Sequence, residues 1–125
     1  MPGAKYFLDS YAVIAILSGS REYAKIKLSE GSTTLLNLME VQYFLHKEGI
    51  KEDEIRETLS KLLPICITFP ASDCFEAVKF RYSKKDRRLS YVDCLGYILA
   101  KNRKLIFVTG DKEFNGMPNV LFLRC

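Results

Sequence analysis

The stretch Leu89–Phe114, LSYVDCLGYILAKNRKLIFVTGDKEF, decides how the rest of the chain is read. Ser90 can cap a helix whose apolar positions Val92, Leu95, Ile98 and Leu99 recur at helical spacing. Asn102, Arg103 and Lys104 mark its end, where cations suit the negative pole of the helix dipole. Leu105–Val108 is then a continuous apolar run, the pattern of a strand covered on both faces. Thr109-Gly110-Asp111 follows at the carboxyl end of that strand, where open α/β sheets put their ligand sites. Asp93, one turn into the helix, and Asp111 can therefore converge on one point. Asp93 reads equally as a solvated helix residue and Asp111 as the cap of the next turn. The stretch alone leaves both readings open.

The chain around it has 125 residues, one domain's worth and enough for a real core. With 48% hydrophobic and 27% charged residues the composition is that of an ordinary globular protein. No apolar run approaches the ~20 residues that cross a bilayer, and Met1–Lys5 leads straight into a strand-like segment with no room for a secretory signal. A cytoplasmic protein with no membrane partner is the expectation. Cys66, Cys74, Cys94 and Cys125 are scattered, and His46 is the single histidine. That pattern argues against a zinc site and a disulfide framework, and favours free thiols, most of them in or near the core. The net charge of +4 is modest. If several carboxylates gather in one cleft, the remaining surface is distinctly basic and suits a polyanion.

In chain order, Lys5–Leu8 reads as a short strand ending at Asp9-Ser10, either of which can cap a buried helix over Tyr11–Leu17. Arg21–Leu28 reads as a second helix closed by Gly31, and Ser32–Leu35 as a second, weakly marked strand. Asn37 is a plausible cap for a helix over Leu38–Lys47, with Leu38, Val41, Phe44 and Leu45 as its apolar stripe and Glu40 in its first turn. Lys51–Leu63 is amphipathic, with Ile55, Leu59, Leu62 and Leu63 inward, and Pro64 stops it. Ile65–Phe69 reads as a β-branched strand ended by Pro70. Ser72 or Asp73 could cap the next helix, which carries Phe75, Val78, Lys79 and Tyr82. Ser83–Arg88 is a basic loop, and Val120–Leu123 a last short strand. Strands alternate with helices throughout, so the expected fold is α/β with a mostly parallel central sheet flanked by helices.

Four acids stand out: Asp9 and Asp111 at strand ends, Glu40 and Asp93 in first turns of helices. Gathered carboxylates repel and raise one another's pKa values, so such a cluster persists mainly where a cation neutralises it. Oxygen-only ligands suit hard cations, and Mg²⁺ or Mn²⁺ can polarise a phosphoryl oxygen and generate hydroxide from bound water. No nucleophile competes, because His46 lies near no serine or cysteine partner in sequence and reads as a surface residue.

Three segments carry a resemblance: KYFLDSYAVI, NLMEVQYFL and the run LSYVDCLGYILAKNRKLIFVTGDKEF, of which the last is the most specific. Together the chain resembles the PIN-domain family, and within it the small single-domain ribonuclease toxins called VapC, over essentially residues 1–125. The resemblance implies a metal-dependent endoribonuclease in which Asp9, Glu40, Asp93 and Asp111 bind Mg²⁺ or Mn²⁺. It further implies an RNA substrate cut to leave a 5′-phosphate and 3′-hydroxyl, a homodimer, and a small antitoxin partner. Cys94 stands where a small alanine is common and Tyr11 where a smaller polar residue is often seen; neither replaces a carboxylate. Ser10 and Thr109 are candidates to orient Asp9 and Asp111, or else serve as a cap and a turn hydrogen bond. Lys84, Lys85, Arg87 and Arg88 could grip a phosphate backbone, or form a solvated charge run. Arg21, Lys25 and Lys27 are weaker candidates of the same kind.

Two rivals remain. A phosphoaspartate enzyme also ends a parallel strand in Asp, but the phosphatase type needs a second Asp where Tyr11 stands, and a receiver needs an adjacent acidic pair. A catalytically silent PIN-like module that binds RNA or protein is the other.

Overall fold

The computed structural model describes residues 3–125. A four-stranded, fully parallel sheet runs in the order β2-β1-β3-β4, with β1 at Tyr6–Leu8, β2 at Gly31–Ser32, β3 at Ile106–Thr109 and β4 at Val120–Phe122. Five helices flank it: α1 (Ser10–Leu17), α2 (Leu35–Lys47), α3 (Glu52–Leu62), α4 (Ala71–Ser83) and α5 (Tyr91–Asn102). The expected α/β class and parallel sheet are borne out. From β1 the chain goes outward to β2, then crosses back and continues through β3 to β4 on the other side. That reversal leaves a crevice beyond the carboxyl ends of β1 and β3, which is where such sheets bind ligands. Leu8 pairs with Val108, so Asp9, which follows β1, lies beside Thr109, the last residue of β3.

Side-chain alternation along β1 and β3 sorts the core into two layers. Phe7 and Phe107 face α4 and α5 with Leu95, Tyr97, Leu99 and Phe114; Leu8 and Val108 face α1, α2 and α3 with Val13, Leu38, Val41 and Leu62. Burial on both sides is why these strands read as apolar runs. Gly96 of α5 lies so close to the sheet that a Cβ there would stand 2.7 Å from the Phe7 ring.

Several local expectations are corrected. Arg21–Leu28 is not a helix but two single 3-10 turns, Arg21–Tyr23 and Leu28–Glu30, because Tyr23 is pinned by its hydroxyl to the Leu123 carbonyl at 2.8 Å. The second strand stops at Ser32, since Thr34 becomes the cap of α2 by accepting from the Asn37 N–H. Asn37 is consequently inside the helix rather than its cap. Ile65–Phe69 makes a single parallel bridge, Thr33 to Cys66, after a 3-10 turn over Leu63–Ile65 has already used part of the run. Leu63 is exposed instead of facing inward. The cap position of α4 is Pro70; Asp73 is buried and bonded to Asn102 and Arg103. On that helix Ala77 and Phe80 face the core while Phe75, Val78 and Tyr82 point outward. Of the free thiols, Cys94 is buried and Cys66 half-buried, but Cys74 and Cys125 are exposed, so only half of them meet the expectation. His46 is exposed, in line with its reading as a surface residue. Among the described residues no helix is long and apolar enough to cross a membrane.

Candidate active site

Asp9 leaves the buried end of β1 and caps α1, its Oδ1 accepting from the Ala12 N–H at 2.8 Å. Its side chain is only 4% exposed. Asp111 follows β3 and caps the 3-10 turn Lys112–Phe114, its Oδ1 accepting from the Glu113 N–H at 3.0 Å. Asp93 closes a capping box with Ser90: it accepts from the Ser90 N–H at 2.9 Å through Oδ2, and the Ser90 hydroxyl accepts from the Asp93 N–H. Asp111 thus does cap the next turn, whereas Asp93 is not a solvated helix residue but a half-buried one bonded back to Ser90; neither role excludes convergence. Each aspartate commits one oxygen to a backbone N–H, which fixes the direction of the whole carboxylate.

Three of the four acids, Asp9, Asp93 and Asp111, are linked by their charges. Burial pushes Asp9 up from 3.8 to about 7, and the charges of Asp93 and Asp111 add to the rise, against hydrogen bonds from Thr109 and Ala12 that hold it down. Asp93 is also raised, first by burial and further by Asp111, against its bonds to Ser90. No arginine, lysine or histidine pairs with Asp9, Glu40, Asp93 or Asp111 among the described residues. An oxygen-only set without a protein cation, in which the buried Asp9 feels the charges of the half-buried Asp93 and Asp111, is the donor chemistry that a hard divalent ion satisfies. Among the described residues no three acidic, histidine or cysteine side chains stand close enough to grip one ion together. The set thus fits a cation that keeps several waters and takes few protein oxygens, as Mg²⁺ does.

The remaining candidates separate. Glu40 sits on the exposed side of α2, and the Ser10 hydroxyl donates to its Oε1. Thr109 is buried, and its hydroxyl accepts from the Asp111 N–H at 3.0 Å, a turn bond that also lies against Asp9. Of the basic loop, Arg87 donates to the Glu113 carbonyl at 2.6 Å and ties the loop to the turn after Asp111. The Lys85 ammonium lies 4.8 Å from the centre of the Tyr82 ring. Lys84 is half-buried, Arg88 is exposed, and none of the four pairs with a carboxylate among the described residues.

Sequence reasoning missed what packs behind the acids. Asn37, read as a cap, is buried and donates to the Ser10 hydroxyl at 3.0 Å. The Tyr11 ring lies against Gly110, where a Cβ would come within 2.0 Å of it, so only glycine fits between Thr109 and Asp111. The Tyr11 hydroxyl in turn accepts from the Cys125 N–H at 2.9 Å.

Comparison with known proteins agrees with this fold. The family model described as PIN domain matches residues 6–119. Among solved structures, a toxin-antitoxin complex from Klebsiella pneumoniae superposes with a TM-score of 0.75 at 21% identity, covering 94% of this chain and 96% of that one. PAE2754 from Pyrobaculum aerophilum superposes with a TM-score of 0.70 at 16% identity, covering 97% and 90%. These two likenesses concern the fold. No curated protein matches the sequence. On the family match, the chain belongs to the PIN domain family.

Proposed function

We propose that the protein is a metal-dependent endoribonuclease that hydrolyses RNA phosphodiester bonds with an activated water, and that it is the toxin of a toxin–antitoxin pair. PIN domains are in general divalent-metal-dependent nucleases, which supplies the reaction class. The observation that carries the reading is the buried carboxylate of Asp9, opposed by Asp93 and Asp111 and matched by no cation among the described residues. Asp9, Glu40, Asp93 and Asp111 would hold the Mg²⁺ or Mn²⁺, in part through the waters that such an ion keeps. When bound, such an ion supplies a polarised phosphoryl oxygen and a hydroxide at neutral pH. The chain's own part is positioning. The backbone bonds to Asp9, Asp93 and Asp111 aim the carboxylates, and Ser10 restrains Glu40. Leu8 and Val108, fully buried, anchor the strand ends from which Asp9 and Thr109 follow.

A role on cellular RNA puts the protein in the cytoplasm. The Klebsiella neighbour is described as a toxin-antitoxin complex, and that supports a small protein antitoxin as partner here. A homodimer would have the exposed apolar side chains Met39, Phe75 and Val78 to cover.

Purified protein is expected to cut RNA in Mg²⁺ or Mn²⁺ and to stop in excess chelator, as read on a gel of end-labelled RNA. Undiminished cleavage in chelator would remove the metal from the mechanism. Binding without cleavage under any metal would leave the silent RNA- or protein-binding module.

The basic loop makes a second expectation. Arg87 already has a structural bond, so the phosphate contacts fall to Lys85 and Arg88. Replacing both by alanine should weaken binding of single-stranded RNA and flatten its salt dependence by roughly 0.7 in log–log slope per lost contact. An unchanged slope would return the loop to a solvated charge run.

A further inference from the structure

We propose that Asn37 is a positioning residue of the nuclease site, the middle of a one-way hydrogen-bond relay from Thr34 through Ser10 that aims the carboxylate of Glu40. The proposal rests on the reading of Glu40 as a metal-facing group, and it adds residues that neither the sequence motifs nor the acids themselves point to.

The geometry forces the direction of every bond. Asn37 and Thr34 are 2% and 1% exposed, so water does not compete for their polar atoms. The Thr34 hydroxyl accepts from the Asn37 N–H at 3.3 Å and donates to Asn37 Oδ1 at 2.7 Å. That donation fixes the amide, because Oδ1 must face the hydroxyl hydrogen and Nδ2 must face the other way. Nδ2 then donates to Ser10 Oγ at 3.0 Å. An amide NH₂ can only donate, so Ser10 is the acceptor there and its single hydrogen is left for another partner. That partner is Glu40 Oε1, which as a carboxylate can only accept. If the amide were flipped, Ser10 would donate to Asn37 and Glu40 would lose its bond.

The relay goes further than packing needs. Thr34 alone caps α2, and an apolar side chain at position 37 could fill the same buried space. What the relay adds is control of a carboxylate on the exposed side of α2 that is otherwise free to move. Thr34, the cap of α2, and Asn37 and Glu40 within it are spaced by three, so each adjoins the next round the helix, from the buried side to the exposed one. Ser10 is the neighbour of Asp9, so the relay fixes Glu40 against the strand end that carries the buried aspartate. A flexible glutamate is thereby held before any ion arrives, which is how partners behind a metal ligand act on affinity.

The test is Mn²⁺ binding to the full chain without RNA, followed by loss of the free-ion paramagnetic resonance signal, beside urea unfolding in chelator. Ser10→Ala and Asn37→Leu should each weaken Mn²⁺ binding by roughly 10-fold or more, the scale of lost ligand-orienting bonds. Ser10→Thr keeps a hydroxyl and should restore affinity to within about threefold of the parent. The combination of Ser10→Ala with Asn37→Leu should be no weaker than the worse single variant, since both act through one bond to Glu40. In a Glu40→Gln background Asn37→Leu should change Mn²⁺ affinity no further.

Each contrary result has its own meaning. If Asn37→Leu costs as much in the Glu40→Gln background as in the parent, Asn37 acts by general packing and the relay is overturned, while the nuclease reading stands. If Glu40→Gln leaves Mn²⁺ affinity unchanged and Asp9→Asn abolishes it, Glu40 is not a ligand and the relay falls alone. If the parent binds no Mn²⁺ at all, the proposed function falls and the relay with it. Should Asn37→Leu fail to fold in the urea series, the half-buried Ser10 carries the same comparison through Ser10→Ala and its threonine rescue.

Discussion

Asp9→Asn is expected to abolish most RNA cleavage and, in the metal-free protein, to raise stability at alkaline pH. Asparagine caps a helix as well as aspartate does, so the bond to the Ala12 N–H survives and the fold with it. What goes is the charge. A carboxylate whose folded pKa is about 7 against an ordinary 3.8 opposes folding once it ionises. Below the lower value it is neutral in both states and contributes nothing. As pH rises through the window the folded parent loses stability, and above about 7 the loss is constant. Roughly three pKa units correspond to on the order of 4 kcal/mol. The variant carries no such group, so its advantage over the parent should be near zero at about pH 4 and full near pH 8.5.

Urea unfolding in chelator at those two pH values measures the difference. Metal should narrow or reverse the variant's advantage. An ion at about 100 times its dissociation constant adds about 2.7 kcal/mol to a protein that binds it, and the Asp9→Asn variant should forfeit most of that gain. Cleavage should drop by about 100-fold or more, since several kcal/mol of charge stabilisation act through this group. Parallel pH profiles for the two proteins would mean that the Asp9 charge is not opposed in the fold.

Legibility in the sequence followed how local the deciding interaction was. α5 and β3 could be read because Ser90, the apolar spacing and the run Leu105–Val108 all act within a few residues. Asp9 and Asp111 could be found because a strand end fixes where the next residue goes. Arg21–Leu28 could not, since Tyr23 and Ile26 suit a helix or two turns equally. The deciding bond there comes from Leu123, at the far end of the chain. Position 37 shows the same limit for the site. An asparagine before an apolar helix reads as a cap, and only the approach of Ser10 from α1 reveals that its amide is used sideways. On α4 the apolar residues recur at helical spacing on the outer face as well as the inner one. Spacing alone therefore cannot tell Ala77 and Phe80 as the side against the core.

Phe107→Ala should be among the most destabilising single changes in the chain, at about 3–5 kcal/mol. Phe107 is fully buried on β3, with ring-centre separations of 6.0 Å to Phe7, 5.6 Å to Tyr97 and 4.8 Å to Phe114. Its ring joins β1, α5 and the turn that follows Asp111, and those elements deliver Asp9, Asp93 and Asp111. Alanine would remove the ring from the centre of that layer, and Gly96 offers no side chain to fill the gap from α5. Small domains have about 5–15 kcal/mol in all, so the variant should remain folded only marginally. Phe107→Leu retains most of the volume and should cost much less, about 1–2 kcal/mol. Urea midpoints for the parent and both variants, compared at equal slope, measure this. A loss under about 1 kcal/mol for alanine would show that the cluster closes around the gap, and that the three aspartates do not depend on this ring for their placement.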